Sequence, residues 1–295
     1  MVLIATCKIR ASGASRNLLD FHIAVSKMRT VKLLSVTAET PTVKSFKFID
    51  ELCSKGEPGQ FIMVWIPGVD EVPMSLSILD PEGRQAAIAV KRVGEATDAL
   101  YNMKTGDIIG VRGPFGSSYT VSRAGKVMLV GGGTGLASLA PLAERLVKEM
   151  TEVTFLMGAK TKDELLFYER IRSLLSESKG RLMATTEDGS FGRRGLVTTL
   201  AEKLFRQDEK FSMVYTCGPE RMMQIMFLLA KEFNVPFEAS LERFMRCAIG
   251  LCGSCVIGKY RVCQNGPVFR DQQLNEVEDE FGRWRRGFDG RRTRI

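Results

Sequence analysis

Four of the chain's seven cysteines fall within 17 positions, as Cys247-x4-Cys252-x2-Cys255-x7-Cys263. Thiolates gathered this tightly hold metal, and the first three have the C-x4-C-x2-C spacing of plant-type two-iron, two-sulfur ferredoxins. The residues between them include Ala248, Gly250, Gly253 and Ser254, small enough to let backbone N–H groups turn against a cluster. Zinc is the alternative. Tetrathiolate zinc sites usually come as two C-x2-C-like pairs, and only Cys252 and Cys255 form one here. An odd cysteine count with a tight cluster argues against a secreted disulfide scaffold and for a reducing, cytoplasmic compartment. Cys7, Cys53 and Cys217 are left over.

A second set of residues suits a nucleotide. Gly131-Gly132-Gly133-Thr134-Gly135 lies between an apolar run and an amphipathic stretch. Glycines there let the backbone approach a pyrophosphate, and a helix start adds N–H donors. No acid closes the following strand, where Gly158-Ala159-Lys160 stands, so the run departs from the usual dinucleotide fingerprint. Cys217-Gly218-Pro219 ends another strand-like run, where ligands gather in open α/β sheets. Taken alone it is a turn after a buried Cys, and Glu187-Asp188-Gly189 is likewise an ordinary turn. Ser75 and Ser77 alternate with Met74 and Leu76, giving one strand a polar face. Thr97, after Gly94, either meets a phosphate or caps a helix. The single histidine, His22, leaves little room for histidine-based catalysis.

The elements that must carry these groups are legible in outline. Strand-like runs at Val31–Val36, Val43–Phe48, Gln60–Ile66, Ala86–Val93 and Asp107–Val111, separated by Gly and Pro turns, predict a small antiparallel barrel or sandwich. A short helix is expected at Ala96–Met103. From Lys126 the period changes. Strands at Val127–Val130, Val153–Met157, Leu182–Thr185 and Met213–Cys217 alternate with helices near Leu136–Val147, Asp163–Leu175, Leu196–Phe205 and Glu220–Phe233. That alternation predicts a parallel sheet with crossover helices.

Composition narrows the class. The 295 residues are 44% hydrophobic and 26% charged, ordinary for a globular chain of two or more domains. The net charge of +8 divides unevenly: +3 lies in residues 1–27, +5 in residues 283–295, and the body between is formally neutral. That placement argues against a nucleic-acid groove across the fold. The longest uncharged stretch, Val127–Ala143, is broken by glycines and a proline, so no membrane span is expected.

The order of barrel, nucleotide domain and four-cysteine segment resembles the ferredoxin–NADP reductase superfamily over residues 28–270. Within it, the chain most resembles the electron-transfer subunits of B-type, NAD-linked dihydroorotate dehydrogenases. The residues that carry the likeness are Leu241-Glu242-Arg243-Phe244-Met245-Arg246-Cys247, the run on to Cys255, Tyr260–Cys263, Gly266–Phe269 and Arg112-Gly113-Pro114-Phe115-Gly116. The glycine run and Cys217-Gly218-Pro219 also match.

The resemblance implies an FAD-binding barrel over 28–122, an NAD(P)-binding α/β domain over 123–235 and a two-iron, two-sulfur segment over 236–270. A charged, solvated tail is expected to follow at 271–295. Met74, Ser75, Leu76 and Ser77 would meet the flavin, with Ser77 near its ring, and Val93, Gly94 and Thr97 its phosphates. Gly133, Thr134, Gly135 and Cys217-Gly218-Pro219 would frame the nicotinamide nucleotide. Met74 stands where the family has an arginine, so Lys91 or Arg92 is expected to supply the cation.

In the family, electrons pass from an FMN-containing catalytic subunit to the cluster, then FAD, then NAD, in a heterotetramer of two of each chain. No side chain need act as general acid or base. A diaphorase subunit of a hydrogenase or a ferredoxin:NADP oxidoreductase would use the same carriers, and a zinc-stabilised binding module is the non-enzymatic alternative. Lys160, Lys162, Arg193 and Arg194 leave NAD against NADP open. The family chain begins near Met28, so residues 1–27 are expected to be an extension or an upstream misassigned start. Intact mass of the native protein is expected to begin at Met28; a mass including Val2–Lys27 ends that expectation.

Overall fold

The computed structural model describes residues 24–123, 125–287 and 289–295. Expectations that fall on residues 1–23, Cys7 and His22 among them, lie outside the described residues.

Six strands close into an antiparallel barrel in the order β1-β2-β5-β4-β3-β6. They are β1 (Arg29–Thr40), β2 (Val43–Ile49), β3 (Phe61–Ile66), β4 (Asp70–Asp80), β5 (Gln85–Lys91) and β6 (Ile108–Phe115). Alternation of side chains sends Phe46 and Phe48 of β2, Ile62 and Val64 of β3, and Ile88 and Val90 of β5 into one buried core. Pairing of β1 with β6 closes the barrel, which excludes the sandwich alternative. β4 is the strand that periodicity alone obscures, because Pro73 interrupts it. Its first half pairs with β3 only, Met63 opposite Pro73. It joins β5 from Leu76 onward, with a bulge between Leu76 and Ile78. β4 and β5 are therefore splayed at one end.

The second unit is a seven-stranded sheet in the order β10-β9-β8-β7-β11-β12-β15, where β10 is the two-residue strand Arg193–Arg194. β7 (Lys126–Gly132), β8 (Glu152–Ala159), β9 (Arg181–Thr186) and β11 (Met213–Cys217) run parallel. The apolar run Val127–Val130 is fully buried, as expected of a strand covered on both faces. Helix Leu136–Lys148 turns Leu136, Leu139, Ala140, Ala143 and Leu146 inward. Helix Tyr168–Ser176 starts later than periodicity predicts, since a single 3-10 turn, Lys162–Glu164, precedes it.

Residues 236–270 are tied to this sheet through β12 (Phe237–Ser240), which pairs with β11, and β15 (Val268–Arg270), which lies beyond it at the edge. The cysteine loop, 241–267, is thus an excursion between two neighbouring strands. Its Met245, Ala248, Cys255, Ile257, Val262 and Cys263 share one core with Phe227, Phe237 and Phe269.

The C-terminal stretch differs from the expectation of a solvated tail. Leu274, Val277 and Phe281 are buried, and Phe281 packs edge-on to Phe227, ring centroids 6.0 Å apart. The charged composition hides three apolar residues at helix-like steps that anchor it. Only the following hairpin, β16 (Trp284–Arg286) with β17 (Arg292–Arg294), stays largely exposed, and Arg292 pairs with the buried Glu280 at 3.0 Å.

Two contacts fix the barrel against the sheet. Buried Glu238 of β12 accepts from Thr120 N (2.8 Å) and Thr120 Oγ1 (2.6 Å). Arg170 bonds both Glu144 and the Ser77 carbonyl of β4, each at 2.9 Å. Among the described residues no helix is long and apolar enough to cross a membrane. Truncating Phe281 to Ala is expected to cost about 3 kcal/mol, the usual scale for a buried aromatic. An unchanged midpoint in chemical denaturation would show that residues 271–295 lie outside the core.

Candidate cofactor site

The four clustered cysteines are free thiols, and the fold sorts them into two pairs. Leu251 N and Cys252 N point at Cys247 Sγ (3.3 and 3.4 Å), and the Cys247 and Cys252 side chains interact. Cys263 N points at Cys255 Sγ (3.4 Å), and those two sulfurs share a hydrogen bond. Gly250 N approaches Cys263 Sγ at 3.3 Å. Ser254 holds the Cys252 thiol down to about 6. The shared bond likewise favours a thiolate at Cys255 and resists a second one at Cys263. Among the described residues no three Cys, His, Asp or Glu side chains surround a single-ion centre. Two dithiol pairs, each fed by backbone N–H groups, suit two irons with two thiolates apiece; one zinc needs all four sulfurs at a single point.

The glycine turn and the Cys217-Gly218-Pro219 turn meet at the sheet's switch point. From β7 the chain moves to β8 on one side and later to β11 on the other, which opens a crevice at their carboxyl ends. Register aligns Gly131 with Cys217 and Cys217 with Ser240; Ser240 in turn faces Val268. The turns beyond them touch backbone to backbone. A Cβ on Gly135 would lie 2.3 Å from Cys217 C and O, and one on Gly218 would lie 2.7 Å from Gly132 O. Gly133 (φ +55°) has open space around it. The Cys217 thiol is buried beside Glu242, Ser138, Ser240 and Tyr119, and burial pushes it up to about 12.

A cavity of about 900 Å³ lies where the barrel, the glycine turn and the cysteine loop converge. The splay of β4 from β5 opens it: Met74 and Ser75 line it from one strand, Ala89 and Lys91 from the other. Val93 and Thr97 add to the barrel wall, Thr134 and Ala137 come from the nucleotide turn, and Ser240–Arg246 close the far side.

Of the barrel residues singled out by sequence, Met74, Ser75, Lys91, Val93 and Thr97 come together here. Leu76 points into the barrel core, and Ser77 is fully buried with no partner for its hydroxyl. Both stand off the cavity, as do Gly94, Gly133, Gly135 and Cys217-Gly218-Pro219. Thr97 Oγ1 accepts from Val93 N and Gly94 N at 3.0 Å each, so it also caps the helix Glu95–Tyr101. Lys91 is at the cavity, whereas Arg92 pairs with Asp98 at 2.9 Å.

Glu242, Arg243 and Arg246 are cavity residues that sequence reasoning read only as the approach to the cysteines. Their run has no helix or strand period, so nothing local showed which way they face. Glu242 is open to the cavity yet walled by protein; that enclosure, then the nearby Glu220, raises its carboxyl, against Arg285 and Arg243. Lys160, Lys162, Arg193 and Arg194 are all exposed, away from this wall.

Comparison with known proteins agrees with this geometry. Residues 129–227 match the family of oxidoreductase NAD-binding domains, and residues 242–275 match the iron–sulfur cluster binding domain of dihydroorotate dehydrogenase B. A probable dihydroorotate dehydrogenase B (NAD(+)) electron transfer subunit from Methanocella arvoryzae is 41% identical, over 87% of this chain and 95% of its own. The Methanocaldococcus jannaschii protein of the same description is 40% identical, over 88% and 96%. This chain belongs to that family.

Among solved structures, an NADH-dependent reduced ferredoxin-NADP oxidoreductase studied for flavin-based electron bifurcation is 32% identical, with a TM-score of 0.75 over 84% of this chain and 91% of that one. The FAD/NAD-binding domain of a Vibrio cholerae nitric oxide dioxygenase, 24% identical at a TM-score of 0.60 over 70% of this chain and 94% of that one, shares the fold. For this family member, Gly135→Ala is expected to push the two turns apart and weaken NAD binding at least about tenfold. Equal affinity in a direct binding titration would show that the contact does not shape the nucleotide crevice.

Proposed function

We propose that this chain carries electrons between NAD and a separate catalytic subunit that oxidises dihydroorotate, by way of FAD and a two-iron, two-sulfur cluster. The observation that supports it most is the single cavity walled by all three parts, barrel, nucleotide turn and cysteine loop. When bound, the flavin exchanges hydride with nicotinamide and single electrons with the iron–sulfur cluster.

The chain's own residues bind and place these groups. Cys247, Cys252, Cys255 and Cys263 hold the cluster. Met74 and Ser75 seat the flavin along the splayed strand, and Lys91, Val93 and Thr97 face its phosphates, Lys91 replacing the family's arginine. Leu76 and Ser77 support that strand from beneath. Gly94 shapes the turn before Thr97. Gly133, Thr134, Gly135 and Cys217-Gly218-Pro219 admit the nicotinamide nucleotide, and the tight contact of the two turns keeps water from its inner face. No proton need move through a side chain.

The catalytic partner would carry FMN, in an assembly of two of each subunit. The exposed Ile249 and Leu251 beside Cys252 leave the cluster loop open to it. One observation favours a second reading: a chain of this shape, 32% identical, occurs in an NADH-dependent reduced ferredoxin-NADP oxidoreductase.

Native anaerobic purification is expected to bring down a flavoprotein that oxidises dihydroorotate; a hydrogenase or ferredoxin-linked subunit in its place would support the second reading instead. Cys252→Ser is expected to abolish or alter the cluster's visible and EPR spectra while FAD remains bound. Unchanged spectra would overturn the ligand assignment, and a colourless wild-type protein the entire scheme.

A further inference from the structure

We propose that the buried Arg243–Glu220 ion pair is a rigid link between the nucleotide turn and the cluster loop, through which nucleotide binding steadies the cluster. The inference rests on the functional reading above and assigns the two residues positioning roles.

Glu220 directly follows Cys217-Gly218-Pro219 and opens the helix Glu220–Glu232. Arg243 stands four residues before Cys247 and forms part of the cavity wall. Their side chains are 9% and 2% exposed. Arg243 Nη2 donates to Glu220 Oε1 at 2.8 Å, and Nη1 donates to Oε2. Two parallel bonds between planar groups set angle as well as distance, which a single contact cannot do. Nη1 also donates to the Glu242 carbonyl (2.8 Å), so the guanidinium is fixed to its own backbone. Gly282 N donates to Glu220 Oε1 at 3.0 Å, bringing the C-terminal stretch to the same carboxylate.

Stability is a poor reason for such a pair. Taking both charges out of water costs about what their attraction returns, and apolar residues of similar volume serve as well. What the pair supplies is a defined relative placement. Residues 241–247 have neither helix nor strand to hold them. Leu241 and Met245 anchor them in the core, Leu241 N donates to the Pro267 carbonyl at 2.8 Å, and Arg243 bonds Glu220. The Leu241 bond closes the loop on its own far end, whereas the Arg243 pair ties the loop to the turn that meets the nucleotide. Coupling of this kind is reciprocal: a nucleotide that orders the turn holds the loop, and a loop that is held favours the nucleotide.

The test follows loss of the cluster's visible absorbance to an iron chelator, with and without NAD, using the full chain in its native complex. In the wild type NAD is expected to slow the loss about fivefold or more, the lower end of ordinary coupling between sites. Glu220→Gln, with FAD and iron contents unchanged, is expected to lose that protection and to bind NAD more weakly by a similar factor. Arg243→Lys keeps the charge but not the fork, and is expected to behave the same way should the first variant fold poorly. The double variant is expected to lose no more protection than either single one.

Full protection in either single variant overturns the link, as does a wild type that binds cluster and NAD yet shows no protection. A wild type that holds no cluster overturns the functional reading and the link with it.

Discussion

One row of strand pairing places everything that matters for electron carriage. Gly131, Cys217, Ser240 and Val268 lie side by side across four strands. Just beyond the first comes the glycine turn, beyond the second Cys217-Gly218-Pro219, and between the last two the entire cysteine loop leaves and returns. Because Ser240 faces Val268 in antiparallel register, both ends of that excursion are pinned at the carboxyl edge of the sheet. A loop held at both ends by ladder hydrogen bonds can present a cluster beside the nucleotide crevice without a domain linker. A one-residue slip in β12 would turn its alternate side chains over and displace residues 241–246 from the cavity wall.

The body's formal neutrality has a structural use. Three acids, Glu220, Glu238 and Glu280, are buried or nearly so, and each accepts from a backbone N–H and forms an ion pair with an arginine. Each also joins segments far apart in sequence: Glu238 ties barrel to sheet, Glu280 ties the Gly258 turn to the C-terminal hairpin, and Glu220 ties the nucleotide helix to the cysteine loop. Buried charges need such partners, and satisfying them selects one arrangement of the parts over its neighbours. The remaining positive charge collects on the terminal hairpin, where Arg286 and Arg292 sit directly opposite each other.

Legibility followed the range of the interaction involved. The cysteine spacing, the buried run Val127–Val130 and the amphipathic stretch after Leu136 are local signals, and each element forms where it predicts. Strand β4 was obscured because Pro73 breaks its pattern, although that half of the strand is bonded on one side only and tolerates proline. Composition points to a tail at the C-terminal stretch because its charges outnumber Leu274, Val277 and Phe281, which pack into a core shared with the distant Phe227. Ser77 looked like a twin of Ser75. The approach of helix Leu136–Lys148 and the bond from Arg170 to the Ser77 carbonyl put it under cover, while Ser75 remains at the cavity.

The sequence by itself determined the kinds of group available: four thiols at cluster spacing, glycines where a backbone must come close to phosphate, and a barrel followed by a parallel sheet. These depend on residue type and short-range period, which the chain carries in plain order. Tertiary structure alone decided which thiols pair and which of Lys91 and Arg92 faces the cavity. It alone shows that Glu242, Arg243 and Arg246 belong to that wall. The wall is set by contacts between segments tens to more than a hundred residues apart. The thiol pairs and the Arg92–Asp98 contact depend on side-chain direction within irregular turns, which residue order does not carry. The cysteine spacing therefore names the chemistry, and the pairing of β11, β12 and β15 gives it an address.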